Sequence, residues 1–326
     1  MKAWQVKQLG DPQVALDIAT IQKPAPKENE VLIKVEAFSL NFFDILQCQG
    51  KYQEKPALPF TPGAEISGIV EAVGEGSQFK VGQRVLATPH LPNGGFSEYV
   101  VAAEDGVFPI PDSLPYKEAA ALFITYQTAY YALHRNAHLR KGETLLVHAG
   151  SGGVGSAAIQ LGKAAGATVI ATAGSDEKTA VCQELGADHV INYQTDDFIQ
   201  KVKELTGGKG ADVIFDPVGG DTFDRSRKCI AFEGRILVIG FAGGRIADAP
   251  TNHALIKNYS IVGVHWGLFR KLFPEEVMKA HLELMELYET GQICPLIYQD
   301  YTFDQVPAAL DSLGARKTWG KLVVNP

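Results

Sequence analysis

The stretch LLVHAGSGGVGSAAIQLGKAAGA, residues 145–167, decides the fold of this chain. An apolar run is followed by a glycine-rich turn and by apolar residues at helical spacing, which predicts a strand, a loop and a helix. The spacing of its glycines fits G-x-G-x-x-G, in which the glycines permit a tight turn, close approach to a pyrophosphate and close helix packing. The sequence therefore predicts a dinucleotide-binding loop made of Gly150, Ser151, Gly152, Gly153, Val154 and Gly155.

The residues around this stretch alternate between apolar runs and helical patterns, from about residue 118 to residue 266. The predicted strands are continuous apolar runs, as in a parallel sheet that is covered on both faces. Several predicted helices end at a glycine, where a left-handed cap is expected, namely at Gly166, Gly186 and Gly207. This part of the chain is therefore predicted to form a doubly wound, Rossmann-type parallel sheet.

The residues before this region have a different pattern. Short runs such as VLIKVEAFSL (31–40) and EISGIVEAVG (65–74) alternate apolar and polar residues between Gly and Pro clusters, which predicts a mostly antiparallel β domain. After the parallel sheet, an amphipathic helix is expected over roughly 274–291. The final KLVVN, residues 321–325, is predicted to return as a strand to the first domain.

Composition excludes several classes of protein. The chain has 326 residues, of which 46% are hydrophobic and 21% charged, as expected of a globular protein with two domains. The net charge of −7 includes no basic block, so we expect no nucleic-acid partner. No apolar run reaches the roughly 20 residues of a membrane helix, and the start lacks a secretory pattern, so we expect a cytoplasmic protein without membrane association. The scattered cysteines are expected to be reduced.

The end of the second parallel strand indicates which cofactor is bound. Proteins that prefer NAD usually carry an acid there, about 20 residues past the glycines, to hold the ribose 2′-hydroxyl. Here TVIATAG (168–174) ends in Gly174, with Lys178 and Tyr193 nearby to meet a 2′-phosphate. Asp176 and Glu177 complicate this interpretation. Their favoured role is to complement a helix dipole, and ribose contacts are the alternative.

With these motifs together, the chain resembles the zinc-independent quinone oxidoreductases of the medium-chain dehydrogenase/reductase superfamily. The segment GETLLVHAGSGGVGSAAIQLGK (142–163) matches that family's signature position by position. Other similar segments follow in the right order: NFFDILQCQGKY, PGAEISGIVEAVG, TAYYAL, INYQTDDF, FDPVGGDTF and ARKTWGKLVV.

The resemblance implies an α/β protein with two domains. Residues 1–122 and 267–326 would form a GroES-like β-rich catalytic domain, and residues 123–266 a Rossmann domain, with the nicotinamide in a cleft between them. The implied cofactor is NADPH. Beyond the glycine loop, the residues implied to bind it are Thr128, Gly174, Lys178, Tyr193, Phe241 and Arg316, and the implied catalytic residues near the nicotinamide are Asn41 and Tyr52.

The sequence also predicts that the site holds no zinc. Alcohol dehydrogenases of the superfamily carry a histidine ligand in the segment that here reads Pro62-Gly63-Ala64-Glu65, so an alanine replaces the ligand. A cysteine-rich lobe for a structural zinc is also missing, and zinc sites need clustered Cys and His ligands. His148, on the first parallel strand, is interpreted as a core histidine, with a supporting role at the loop as the alternative.

Without a metal to polarise an alcohol, hydride transfer suits acceptors that are already electron-poor. The first hypothesis is an NADPH-dependent quinone reductase, and the second is an alkenal, enone or enoyl-thioester reductase. A third is a protein that binds NADPH with little turnover and has a structural or regulatory role. The apolar run SIVGVHW (260–266), at the predicted sheet edge, is expected to pair with its copy in a homodimer.

Overall fold

The structure is a computed structural model that describes residues 1–326. Its first part is rich in short strands and ends in a long helix. The elements are β1 (Lys2–Val6), α1 (Pro12–Ala15), β2 (Leu16–Thr20), β3 (Glu30–Leu40), α2 (Phe42–Cys48), β4 (Ile66–Val73), β5 (Arg84–Ala87), β6 (Tyr99–Ala103), β7 (Val107–Pro109) and α3 (Tyr116–Tyr130).

Strands and helices then alternate, as the sequence predicts. The elements are β8 (Thr144–Val147), α4 (Gly153–Ala164), β9 (Thr168–Ala173), α5 (Asp176–Glu184), β10 (His189–Asn192), α6 (Phe198–Leu205), β11 (Ala211–Asp216), α7 (Gly220–Ser226), β12 (Ile230–Val238), α8 (Thr251–Lys257), β13 (Ser260–Gly263), α9 (Trp266–Leu272), α10 (Pro274–Glu289), β14 (Ile297–Thr302), α11 (Val306–Gly314) and β15 (Lys321–Asn325). None of the helices combines the length and the apolar character that crossing a membrane requires.

The chain folds into two compact units, and the boundary between them falls within α3. The first unit comprises residues 1–124 and 295–326, and the second comprises residues 125–294. The interpretation of the sequence assigned residues 267–294 to the first domain, whereas here they fall in the second unit.

Hydrogen bonds around α10 explain this difference. The side-chain amide of Gln127 donates to the carbonyl of Val277 over 3.0 Å. Gln160, on α4, both donates to the carbonyl of Cys294 (3.0 Å) and accepts from its N–H (2.6 Å). The periodicity of the sequence predicts the helix correctly but does not show which core its apolar face joins.

The first unit contains a seven-stranded sheet in the order β14-β15-β3-β4-β5-β7, with β6 also paired to β3. All pairs are antiparallel except β14 with β15. The predicted return of the last strand is confirmed, because β15 pairs with β3. Phe38 stacks on Phe96 with ring centroids 4.8 Å apart, and both rings are fully buried. Burial of each ring contributes about 1.5–3 kcal/mol to folding.

The second unit contains a six-stranded parallel sheet in the order β10-β9-β8-β11-β12-β13. This confirms the predicted Rossmann-type fold. Its strands are apolar because helices cover both faces, and all six residues of β11 are buried. The predicted caps at Gly166, Gly186 and Gly207 adopt the positive φ angles that favour glycine. From β8 the chain proceeds to β9 on one side and later to β11 on the other, and ligands of such sheets bind at this reversal.

Candidate active site

The glycine-rich loop leaves β8 at the reversal point of the sheet and enters α4. The amide of Gly150 donates to the carbonyl of Thr172 over 2.9 Å, which ties the loop to β9. A Cβ atom at Gly150 would lie 2.9 Å from the Cys182 sulfur, and one at Gly155 would overlap the carbonyl oxygen of Ala149. Both glycines are therefore required by packing, as the motif predicts.

The N-terminus of α4 fits the phosphates of a dinucleotide. Gly152 occupies the N-cap position, and the helix has no capping side chain and no acidic residue in its first turn. Its amide N–H groups and its positive dipole end are therefore not compensated from within the helix. A Cβ atom at Gly152 would meet a single neighbour, the Ala149 carbonyl oxygen at 3.3 Å, so the backbone lies open there. Such an end binds phosphate oxygens.

The end of β9 offers space and polar groups to the ribose. The Tyr193 hydroxyl lies over Gly174, since a Cβ atom at Gly174 would be 2.5 Å from it. An acidic side chain at position 174 would therefore displace Tyr193. Lys178 lies in the first turn of α5, where its backbone N–H donates to the Ser175 hydroxyl (3.3 Å).

The two acids of this turn have a structural role. Asp176 and Glu177 lie in the first turn of α5, where negative charge complements the helix dipole. Asp176 also accepts a hydrogen bond from the side-chain amide of Asn192 over 2.8 Å. This geometry supports the dipole interpretation over ribose contacts.

The remaining residues of the expected cofactor set lie on both units. Thr128 is half-buried on α3 in the second unit. Phe241 follows β12, is 47% exposed, and lies against Gly219, which follows β11 at the same edge of the sheet. Arg316 is exposed in the first unit, in a left-handed conformation (φ 58°) just after α11.

A buried polar cluster surrounds Asn41 in the first unit. Lys321 and Glu65 form an ion pair of 2.7 Å, with side chains 5% and 1% exposed. The Asn41 side chain accepts from Lys321 (2.6 Å) and donates to Glu65 (3.0 Å). Ser39 also donates to Glu65, over 2.6 Å. β3 supplies Ser39, the N-cap of α2 supplies Asn41, the segment just before β4 supplies Glu65, and β15 supplies Lys321.

Asp44 lies beside this cluster, on the first turn of α2. One carboxyl oxygen accepts the backbone N–H of Asn41 (2.7 Å), and the other is buried without a hydrogen-bond partner. Burial raises the pKa of Asp44 from 3.8 to about 7, against the lowering effects of the Asn41 hydrogen bond and of Lys321. The charge of Glu65 adds a further increase. This carboxyl group therefore titrates near neutral pH.

Tyr52 follows α2 in the first unit and is half-buried. Its ring stacks on Phe43 with centroids 5.3 Å apart. Burial raises the pKa of the Tyr52 hydroxyl, and the charges of Glu54 and Asp44 raise it further. The hydroxyl is thus protonated at neutral pH and can donate a hydrogen bond.

The arrangement of possible metal ligands is sparse. No three His, Cys, Asp or Glu side chains come together in a group that could hold a metal ion. All four cysteines are free thiols: Cys48, Cys182 and Cys229 are buried and Cys294 is exposed.

His148 is a core histidine. Its two ring nitrogens bond to the hydroxyls of Thr172 (3.0 Å) and Ser226 (2.8 Å), and it is 2% exposed. Burial lowers the pKa of His148 to about 4, so the ring is neutral. With both nitrogens engaged, it has no free group to offer the loop.

The interpretation of the sequence missed Glu65, Lys321 and Asp44 as members of the site. Glu65 drew attention only as the neighbour of the missing zinc ligand. The sequence did offer one indication for Lys321. It opens the apolar strand KLVVN, and a lysine buried in such a strand requires an acidic partner.

Comparison with known proteins agrees with this architecture. Residues 27–112 match the family model described as "Alcohol dehydrogenase GroES-like domain". Residues 153–284 match the one described as "Zinc-binding dehydrogenase". The first match lies within the first unit and the second within the second unit.

Three similar proteins are informative. The "Quinone oxidoreductase-like protein 2 homolog" of Nematostella vectensis is 39% identical over 99% of this chain and 88% of its own length. The Escherichia coli quinone oxidoreductase, solved as a complex with NADPH, has a TM-score of 0.92 at 30% identity, with 100% of both chains covered. The CurK enoyl reductase has a TM-score of 0.89 at 30% identity, covering 99% of this chain and 98% of its own. This chain therefore belongs to the quinone oxidoreductase family of the medium-chain dehydrogenase/reductase superfamily.

Proposed function

We propose that the protein is an NADPH-dependent reductase that transfers a hydride to quinones. The observation that carries the proposal is the open N-terminus of α4, together with the Tyr193 hydroxyl over Gly174 where an NAD-binding protein would hold an acid. The similar E. coli quinone oxidoreductase was solved with NADPH. The residues present fit this cofactor.

The chemistry divides between the cofactor and the chain. Bound NADPH supplies the hydride. The glycine loop and Lys178 would hold its phosphates, and Asn41 and Tyr52 would donate hydrogen bonds to the acceptor oxygen. A quinone or enone that takes up a hydride becomes a phenolate or enolate, and fixed donors stabilise that developing charge.

We also propose that the reaction needs no zinc. Ala64 cannot ligate a metal, and the nearby Glu65 is already occupied by four hydrogen bonds, from Ser39, Asn41, Lys321 and the backbone N–H of Ile124. The oxidation of a simple alcohol requires its proton to leave, which a zinc-bound alkoxide makes possible in related dehydrogenases. This site offers no comparable Lewis acid among its residues.

A substrate panel tests the function. We expect NADPH-dependent reduction of small 1,4-quinones, no oxidation of ethanol or butanol with NADP⁺, and the same quinone rate after treatment with a strong chelator. Robust alcohol oxidation, or about one zinc per chain by elemental analysis together with loss of activity in the chelator, would contradict the proposal.

The second candidate is reduction of a conjugated double bond in an enone or enoyl thioester. The similarity to the CurK enoyl reductase favours it, and the same donors would serve an enolate. A higher kcat/KM for enones than for quinones in the panel would select this candidate. Tight NADPH binding without turnover of either class would indicate the third possibility, a structural or regulatory NADPH-binding protein.

We further propose that two copies pair through β13. This strand is at the edge of the six-stranded sheet, and Ile261 on it is 38% exposed. The preceding helix α8 exposes two further apolar side chains, Leu255 (81%) and Ile256 (77%). Unpaired apolar edges invite pairing with another chain.

Light scattering coupled to gel filtration checks the dimer. The wild type should have about twice the mass of the 35.2 kDa chain. Ile261→Lys should shift the protein to the monomer. The matched control Leu282→Lys, at a 61% exposed leucine on α10, should leave the mass unchanged. A monomeric wild type at micromolar concentration would refute the interface.

A further inference from the structure

We propose that Lys321 and Glu65 are positioning residues that hold the Asn41 side chain as a hydrogen-bond donor toward the oxygen of the acceptor. The inference rests on the proposed function, because it describes how the same site stabilises the oxyanion. It assigns a role to the buried ion pair of Lys321 and Glu65, which the stability of the sheet does not require.

The cost of this pair calls for an explanation. Lysine and glutamate are rarely buried, and desolvating two charges costs several kcal/mol per ion before their attraction offsets it. Apolar residues of similar volume would serve the core of the sheet at least as well. Lys321 is 4% and Glu65 1% exposed, so neither charge is relieved by water.

Lys321 has no proton left to give. An ammonium group has three N–H donors. They reach the carbonyl oxygen of Leu40 (3.1 Å), the side-chain oxygen of Asn41 (2.6 Å) and one carboxylate oxygen of Glu65 (2.7 Å). Lys321 therefore cannot act as an acid or as a direct donor to a substrate.

Glu65 is equally committed. One carboxylate oxygen accepts from Ser39, Asn41 and Lys321, and the other accepts the backbone N–H of Ile124 over 2.9 Å. The single hydroxyl proton of Ser39 is spent in this cluster as well. Glu65 thus has no role as a base while the cluster is intact.

The two charges fix the orientation of the Asn41 amide. Its oxygen faces the Lys321 ammonium and its nitrogen faces the Glu65 carboxylate. A flipped amide would place N–H groups against the ammonium and a carbonyl oxygen against the carboxylate, and both contacts would be repulsive.

One proton remains in the cluster. The Asn41 amide carries two N–H groups and donates one of them to Glu65, so the second is uncommitted. Asn41 is also the most exposed member, at 7%, whereas Ser39, Glu65 and Lys321 are 0%, 1% and 4% exposed. The cluster therefore keeps a single uncommitted N–H group, on its least buried member, and that group is a donor.

That polarity suits the proposed reaction. As the acceptor carbon gains the hydride, the carbonyl π electrons move to oxygen, and the resulting oxyanion takes a proton from water afterwards. A fixed N–H stabilises this oxyanion, whereas a fixed carbonyl oxygen would repel it. An asparagine free to flip would offer the two with comparable frequency.

Two variants test the fixed orientation of the Asn41 amide between Lys321 and Glu65, which we call the lock. Lys321→Met with Glu65→Gln removes both charges while keeping volume, and kcat for a small quinone should fall by about tenfold with KM for NADPH unchanged. Asn41→Asp keeps the contact to Lys321 but has no proton to donate, and kcat should fall by about a hundredfold. Wild-type kcat in either protein would overturn the proposal.

Controls separate positioning from general damage. Lys34→Met makes the same change on the exposed face of β3, where Lys34 pairs with Glu36 over 2.8 Å, and should leave kcat unchanged. In an Asn41→Ala background the double change should cause no additional loss of kcat. If the double change lowered kcat a further tenfold in the Asn41→Ala background, Lys321 and Glu65 would not act through Asn41. The same conclusion would follow if only Tyr52→Phe, and neither the double change nor Asn41→Asp, lowered kcat.

A readout without substrate distinguishes failure of the lock from failure of the proposed function. In protein labelled with ¹⁵N at asparagine, one Asn41 side-chain proton should be protected from solvent exchange and the other should exchange freely. In the Lys321→Met, Glu65→Gln protein both should exchange. Two protected protons in the wild type would refute the lock, whereas the expected spectrum without reduction of any quinone or enone would refute only the function.

Discussion

Replacement of Lys178 by alanine is expected to weaken NADPH binding by about ten- to a hundredfold and to leave NADH binding almost unchanged. A charge-assisted hydrogen bond to a phosphate contributes roughly 1.5–3 kcal/mol, and NADH lacks the 2′-phosphate that would receive it. Lys178 lies in the first turn of α5, four residues after Gly174, over which the Tyr193 hydroxyl lies.

Titration calorimetry or the quenching of cofactor fluorescence measures both affinities. Lys201→Ala provides the matched control, because Lys201 is an exposed lysine on α6 whose nearest acid, Glu204, is 3.9 Å away. Equal losses of NADPH and NADH affinity in Lys178→Ala would show that this lysine does not read the 2′-phosphate.

Asp44 should make the protein less stable as the pH rises. Its pKa is about 7 in the folded protein against an ordinary value of 3.8. Between these values the folded chain holds more protons than the unfolded chain, so the free energy of unfolding falls as pH increases. The loss is nil below about pH 4, develops between pH 4 and pH 7, and amounts to roughly 4 kcal/mol above pH 7.

Asp44→Asn removes this dependence, since its side chain keeps an oxygen for the Asn41 N–H and carries no charge. At pH 8 the variant should be more stable than the wild type by about 2–4 kcal/mol, with the difference vanishing near pH 4.5. Denaturant unfolding at several pH values measures it. His148 contributes the opposite slope, because its pKa of about 4 is below its ordinary value of 6.5, but it is present in both proteins and cancels.

The exposed Asp105, with no hydrogen-bond partner for its side chain, supplies the matched control. Asp105→Asn should follow the wild-type curve at every pH. A constant stability difference between Asp44→Asn and the wild type from pH 4.5 to 8 would mean that Asp44 is ionised throughout, contrary to the raised pKa.

The fold could be predicted from the sequence because the patterns that indicate it are local. The glycine loop, the apolar runs of the parallel strands and the glycines that end helices all depend on residues close together in the chain, and each lies where its pattern predicts. The π-helical turn that continues α3 over Tyr131–Asn136 was not predicted, since its residues have the same apolar spacing as an ordinary helix.

The candidate site could be predicted from the sequence only in part. Its phosphate-binding side follows from one short motif. The cluster around Asn41 joins Ser39, Glu65 and Lys321, and the last two are 256 residues apart in the chain. Nothing local pairs these charges. They meet because β15 inserts between β14 and β3, which is a property of the finished sheet.

This insertion has a consequence for biosynthesis. Glu65 leaves the ribosome 256 residues before Lys321, which at 5–20 residues per second is roughly 13 to 50 s earlier. During that interval the nascent chain can assemble the antiparallel strands from β3 to β7. The carboxylate of Glu65 then has no ammonium to neutralise it, and the edge of β3 at residues 38–40, which β15 later covers, is open. The second unit can complete its own sheet meanwhile. The first unit, although translated first, should therefore be the last to acquire its native core, and chaperones would meet it with that edge still open.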